Sequence, residues 1–350
     1  MIPNWLTTPI APPSFAMHDM ARRRQATLTK PPGSLGRLED LACFLAAAQH
    51  GQTPVADHVW ISIFAADHGI TAENVSAFPA VVTGEMIKNF SRGGAAISVL
   101  ARTQNAALEV VDLGTVQHLS GISGVQHLGI GPGTANFRYH PAMTHTQCLA
   151  ALEAGRASAE RAHAAKSQLY IGGDMGIGNT TSATALACAL LGTDPKTLSG
   201  PGTGLSPDGV AHKAFIIAES LKQHKSALTS DIEILRHLGG FEIAALAGAV
   251  IACAGQGLPV LVDGFIVSVA VLIAQRLNPG VAPWLLFSHC SAEPGHARVL
   301  EALAARPLLS LEMRLGEGSG AAVALPLIRL ACALHNSMAT FEEAGVSQQP

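Results

Sequence analysis

The chain has 350 residues, 48% hydrophobic and 13% charged, enough to bury a large core as one big domain or two unequal ones and too apolar for a disordered chain. Its formal net charge is -3, and its 22 Lys and Arg residues are scattered rather than gathered into a stripe, which argues against nucleic acid or an anionic membrane as partner. The first residues lack the pattern of a secretory signal, and the six cysteines are dispersed with no CxxC, so a cytoplasmic protein with mostly buried, reduced thiols is expected.

The first fifty residues read as two helices, about 17 to 28 and 35 to 49, separated by 30-KPPGS-34, where Pro31 and Pro32 break any continuous helix. Six short apolar runs follow: 59-VWISIF-64, 107-ALEVVDL-113, 168-QLYI-171, 258-LPVLV-262, 284-WLLFS-288 and 309-LSLEMRL-315. Each precedes a Gly-rich or polar loop and then a helical pattern, which predicts an α/β fold with a parallel, Rossmann-like sheet flanked by helices on both faces. Ser230 and Glu233 have capping-box spacing ahead of 231-DIEILRHL-238, and Gly239 is placed to end that helix. The segment 241-FEIAALAGAVIACAG-255 is short for a membrane span and is followed by Gln256, Pro259 and Asp263, so it reads as a buried helix leading into a buried strand. A last helix is expected over 319 to 335, with Pro326 as a kink. The expected division is a large α/β domain over residues 50–325 and a small helical domain formed from both chain ends, 1–49 with 326–350.

Polar residues follow the runs: Asp67 and His68, Asp112, Asp174, Asp263, Ser288 and His289, and Glu317. In open α/β sheets ligands bind beyond the carboxyl ends of the strands, so these side chains are candidates for one crevice, although any one of them can serve simply to cap a helix or turn a loop. The loop 171-IGGDMGIGNTTSATAL-186 is the most informative. Gly172, Gly173, Gly176 and Gly178 free backbone N–H groups to face a ligand, while Asn179, Thr180 and Thr181 add donors at a helix start, a combination suited to phosphate. It is not a Walker A loop, since Asn179 stands where Lys is required, nor GxGxxG, since Thr181 takes the third Gly position. A second loop, 200-GPGTGL-205, precedes Lys213, which either adds charge to the same phosphate or is an ordinary solvated lysine. The stretch 289-HCSAEPGH-296 offers metal-ligating residue types, but Pro294 and Gly295 keep them off one helical face, and a substrate loop is the better reading than zinc. Glu317, isolated among glycines in 314-RLGEGSGAA-322, either interacts with a helix N-terminus or acts as a general base whose pKa is raised by low polarity.

Taken together, 30-KPPGSLGRLEDLA-42, 65-AADHGI-70, 93-GGAAISVLAR-102, 171-IGGDMGIGNTTSATAL-186, 239-GGFEIAALAGA-249, 263-DGFI-266, 288-SHCSAEPGH-296, 314-RLGEGSGAA-322 and 337-SMATFEEAGV-346 resemble the nicotinate-nucleotide:dimethylbenzimidazole phosphoribosyltransferase family, in order and over most of the chain. The resemblance implies a homodimer with a parallel-sheet large domain, a small helical domain from both chain ends, and an active site completed by the partner subunit. The implied reaction moves phosphoribose from nicotinate mononucleotide to 5,6-dimethylbenzimidazole, giving α-ribazole 5'-phosphate and nicotinate, a step of cobalamin lower-ligand synthesis with no metal or cofactor. It also assigns Glu317 as general base, with Asp174 assisting near the benzimidazole. Gly176, Gly178, Asn179, Thr180 and Thr181, with Gly202 and Lys213, are assigned to the 5'-phosphate, and Asp263 and Ser291 to the ribose or leaving group. Phe78, Pro79, Ala80, Glu85, Met86 and Leu315 are assigned to the aromatic-base pocket. The chain departs from the family in having Asp174 where Glu is more usual and Glu85 where Gln is typical; an ionised Glu only accepts hydrogen bonds, so base selectivity is expected to broaden towards other benzimidazoles or purines. The competing readings are an NAD-dependent oxidoreductase, disfavoured by the missing GxGxxG, and a non-catalytic nucleotide sensor, which would not need Glu317.

Overall fold

Six parallel strands form the centre of the computed structural model, which describes residues 2–117 and 119–347. They are β1 (Val59–Ala66), β2 (Ala107–Gly114), β3 (Val125–His127), β4 (Leu169–Met175), β5 (Val260–Val262) and β6 (Leu285–Phe287), in the order β3-β2-β1-β4-β5-β6. This doubly wound order reverses between β1 and β4, and a ligand crevice belongs at that reversal, beyond the carboxyl ends of the strands.

The helices, in chain order, are α1 (Phe15–Thr27), α2 (Arg37–Ala48), α3 (Val81–Arg92), α4 (Ala96–Thr103), α5 (His145–Ala164), α6 (Asn179–Leu191), α7 (Pro195–Leu198), α8 (Pro207–His224), α9 (Asp231–Leu238), α10 (Phe241–Gly255), α11 (Phe265–Leu277), α12 (Pro294–Ala302), α13 (Ser319–Ser337) and α14 (Phe341–Ala344). Successive strand residues point to opposite faces, so the sheet is covered twice. Phe64 and Tyr170 join a core with Leu246 of α10 and Val271 of α11, whereas Ile61, Ile63 and Ile171 join another with Leu45 of α2, Ile87 of α3 and Leu325 of α13. The expected buried helix is α10, whose first fourteen residues are all buried. No helix among the described residues is long and apolar enough to cross a membrane.

Two expectations need correction. The run at 309–315 is not a strand: only Leu309 makes a bridge, to His289, and Glu312 takes a left-handed backbone (φ 57°) that a strand cannot continue through. The sixth strand is instead β3, three residues long and only half-buried to exposed, too short and polar to show as an apolar run. At α9, Ser230 accepts from Glu233 N, but the Glu233 carboxylate turns to Arg236 (2.6 Å) instead of returning to the cap, so the capping box is only half made. Pro326 lies inside α13, which continues through it to Ser337.

Both chain ends meet. Leu28 pairs antiparallel with Thr340, Arg24 Nε donates to His335 O at 2.8 Å, and α2 packs between α1 and α13. All six cysteines are free, five of them buried.

Candidate active site

A cavity of about 310 Å³ opens beyond the carboxyl ends of β4, β5 and β6, a volume suited to one small ligand. Asp174, Gly176, Asn179, Thr180, Gly202, Asp263, Ser291, Phe78 and Leu315 of the expected site residues line it, joined by His289, Glu293 and Arg314. Glu317, Gly178, Thr181 and Lys213 are not among its lining residues, and neither, within the single chain, are Pro79, Ala80, Glu85 and Met86; Glu85 is exposed on α3.

The glycines of the opening loop divide into two groups. Gly172 and Gly173 are inside β4, not in the loop: a Cβ at Gly172 would strike Leu246, and one at Gly173 would come within 2.7 Å of the Glu317–Gly318 backbone. Their expected role of baring N–H groups to a ligand is therefore wrong; they let a helix and a second loop approach the strand. The turn proper begins at Gly176 and ends at Gly178, whose φ of 95° starts α6 from a conformation that favours glycine.

Beside that turn, Thr180 Oγ1 accepts from Lys213 Nζ at 2.8 Å. Lys213 is fully buried on α8, which rules out the solvated lysine, and also donates to Gly200 O at 3.3 Å. Burial pushes its ammonium down to about 8, with Glu293 acting in the opposite sense. Asn179 spends one amide proton on Asp174 Oδ2 at 2.8 Å, and Thr181 Oγ1 is buried without a partner among the described residues. Arg314 Nη1 donates to Gly202 O at 3.1 Å, tying the 200–205 loop to the loop that carries Glu317.

Carboxyl groups crowd the same end of the sheet. Burial raises Asp174 well above the usual carboxylate range, and Asp263, Glu242 and Glu317 push it further. Asp263 is raised by burial against the pull of His289, whose Nε2 lies 3.7 Å away, and its Oδ1 accepts from Ala321 N at 2.9 Å in the first turn of α13. Glu293 is raised by burial and partly relieved by Lys213. Glu317, 5% exposed, is raised by burial and by Asp263, while an N–H from Ile97 opposes the shift. Its carboxylate accepts from Ile97 N at 3.4 Å, in the first turn of α4, so the helix terminus it meets is not that of α13, which follows it.

Gly316, Glu317 and Gly318 have φ of 84°, 62° and 73°. Three successive left-handed residues make a tight turn, and the non-glycine in the middle costs about 1–3 kcal/mol. Asp263 Oδ2, His289 Nδ1, Glu293 Oε1, Ser288 Oγ and Ser319 Oγ are buried with no partner among the described residues. Buried polar atoms are ordinarily satisfied, so this concentration of unsatisfied ones marks a surface shaped for a polar ligand. His296, by contrast, has both ring nitrogens committed, Nδ1 to Ser291 N (2.8 Å) and Nε2 to Ser268 Oγ (2.9 Å).

Sequence reasoning missed Arg314 and Glu293 as cavity residues and Glu242 as part of the acid group. Arg314 and Glu293 lie inside motifs already noticed; Glu242 sits on a helix that looked like core alone.

These features define a doubly wound α/β protein with a small-molecule site on the carboxyl edge of its sheet. A family model described as a phosphoribosyltransferase matches residues 10–346. The nicotinate-nucleotide–dimethylbenzimidazole phosphoribosyltransferase of Ectopseudomonas mendocina (strain ymp) is 59% identical over 347 residues, covering 99% of each chain. The protein of the same name from Pseudomonas aeruginosa is 60% identical over 334 residues, 95% of each. A crystal structure of CobT from Thermus thermophilus superposes with a TM-score of 0.91 at 44% identity, covering 95% of this chain and 100% of that one. The chain belongs to this phosphoribosyltransferase family.

Proposed function

We propose that the protein transfers the phosphoribosyl group of nicotinate mononucleotide to 5,6-dimethylbenzimidazole, releasing nicotinate and forming α-ribazole 5'-phosphate for a cobalamin lower ligand. The observation that carries this reading is the pairing, at one cavity, of a helix-start turn backed by the buried Lys213 with a buried, raised carboxyl at Glu317 held in a left-handed turn. The first suits the 5'-phosphate, with Gly176, Gly178, Asn179, Thr180, Thr181 and Gly202 around it. The second suits a general base.

In the mononucleotide the pyridine nitrogen already carries positive charge, so nicotinate leaves without a general acid. As one benzimidazole nitrogen attacks C1', the proton on the other becomes acidic, and Glu317 takes it; a raised pKa brings a carboxylate closer to the proton it must accept. Attack from the face opposite the leaving group inverts C1' and yields the α product. Asp174 assists near the base, Asp263 and Ser291 hold the ribose or leaving group, and Phe78 and Leu315 offer apolar surface to the benzimidazole, with the remaining base-pocket residues brought in on assembly. The active form is a cytoplasmic homodimer. In it the helices from both chain ends act as a small domain, its inner side continuous with the core around Leu45 and Cys332, and the partner subunit completes the site.

The test is to incubate the protein with nicotinate mononucleotide and dimethylbenzimidazole and follow both products by chromatography. Stoichiometric nicotinate and a new ribotide of α configuration are expected; a β-configured product, or nicotinate released without ribotide, would overturn the inverting transfer.

A further inference from the structure

Two stretches of the sequence, 65-AADHGI-70 and 239-GGFEIAALAGA-249, contribute side chains that never reach the cavity wall yet meet beneath it. His68 and Glu242 have fully buried side chains, and His68 Nε2 lies 2.6 Å from Glu242 Oε1. At that distance one of the two groups donates a proton to the other. The other ring nitrogen, Nδ1, lies 2.9 Å from Ser182 Oγ, on the second turn of α6. One chain of contacts thus runs from the head of α10, through the turn after β1, to the beginning of α6.

The ring is also the floor of the phosphate turn. A Cβ at Gly176 would lie 3.2 Å from the imidazole, after the nearer Ala66 O at 2.5 Å, and one at Gly178 3.4 Å from His68 Cβ, after the nearer Thr71 Cγ2 at 2.8 Å, while at Gly240 it would strike His68 Cε1. Three glycines on two loops therefore close on a single histidine. The second Glu242 oxygen has no partner among the described residues. A buried carboxyl group held by one neighbour leaves that neighbour with little freedom to shift, because breaking the contact would leave a buried polar group unsatisfied.

We propose that Glu242 and His68 are positioning residues for the phosphate end of the cleft: through Ser182 and the packing of Gly176 and Gly178 they fix the height and direction of the α6 start. This rests on the reading of that turn as the phosphate site. It adds residues that touch no substrate but determine how well one of the two substrates is held.

The experiment compares wild type with Ser182→Ala, Glu242→Gln and His68→Gln, and with His237→Gln as a buried-histidine control outside the cleft. Calorimetry reads binding of nicotinate mononucleotide and of inorganic phosphate, steady-state kinetics read KM for each substrate, and thermal melts read folding. In each cleft variant that folds, affinity for the mononucleotide and for phosphate falls about tenfold while KM for dimethylbenzimidazole moves less than about twofold. The control changes Tm without separating the two substrates. Ser182→Ala removes one hydroxyl and leaves the core intact, so it carries the test if His68→Gln does not fold. Parallel losses for both substrates, or unchanged mononucleotide affinity, would overturn the proposal. Because binding is read without turnover, a wild type that binds mononucleotide but transfers nothing would sink the transfer reading alone; one that binds neither mononucleotide nor phosphate would sink both.

Discussion

The carboxyl edge of the sheet has two halves built on the same plan, an acid at or just past the end of each long strand, and they end differently. On the β2–β3 side Asp112 is used up internally: one oxygen accepts from Gly114 N at 3.1 Å and the other meets His127 Nδ1 at 2.9 Å. The cavity there, about 740 Å³, is larger than that of the candidate site, yet its acid and histidine are already paired with each other. On the β4–β6 side Asp174, Asp263 and Glu293 stay raised by burial, and three side chains lining the cavity keep an atom with no partner among the described residues. Size alone does not identify a binding site; polar groups left unsatisfied at stability's expense are the better sign. Between the halves, Asp67 is intermediate: Oδ2 accepts from Val116 N at 2.8 Å and Oδ1 has no partner among the described residues.

This contrast can be broken first at Glu317. Glu317→Gln is expected to lower turnover by about a hundredfold or more while mononucleotide binding stays within about twofold, and retained turnover would place the base elsewhere. Lys213→Ala comes next, with mononucleotide affinity falling about tenfold or more, the order of a lost hydrogen bond to a charged group. In the free protein the ammonium titrates at about 8, so wild-type affinity should decline as pH rises through that value, and a flat profile from neutral to alkaline pH in calorimetry would remove Lys213 from the phosphate site.

Matched substitutions on the two halves sharpen the comparison further. Asp174→Asn neutralises a buried group beside Asp263, Glu242 and Glu317 and should raise unfolding stability by about 1 kcal/mol while lowering activity. Asp112→Asn breaks a satisfied pair and should lower stability by about 1 kcal/mol with turnover within about twofold. Urea titrations giving the two changes the same sign would erase the distinction.

A pH-dependent effect lies away from both halves. Burial lowers His237 to about 4, beneath its ordinary value near 6.5, so between those values the unfolded chain binds the proton and the folded one does not. Stability from this group is present above about 6.5 and lost as pH falls towards 4; replacing His237 with Gln should flatten that part of the acid limb in urea titrations run across that range.

How much of this was legible in the sequence depends on range. Strands with apolar runs and helices with caps are local patterns, so β1, β2, β4, α9 and α10 could be read within a few residues. The strand β3 could not, because its place is granted by the neighbour it pairs with, Val110 to Asp112, and not by its own three residues. At the site, Asp174, Asp263 and the turn from Gly176 to Thr180 could be read because each lies at or just past the end of a strand. Glu242 could not, since its meaning comes from His68, 174 positions away. Gly172 and Gly173 misled for a related reason: what they accommodate is backbone and side chain from distant segments, not a ligand.

The left-handed backbone at Glu317 bears on any attempt to improve the protein by selection. Glycine or asparagine at this position would relax the turn, and removing the buried acid would lessen the crowding of charge, so a library screened for heat resistance should enrich Glu317→Gly and Glu317→Asn. Such winners would be sturdier and inert. Screens on this scaffold therefore need product formation in the selection, and the frequency with which position 317 is lost without it is itself a gauge of how much robustness the site gives up.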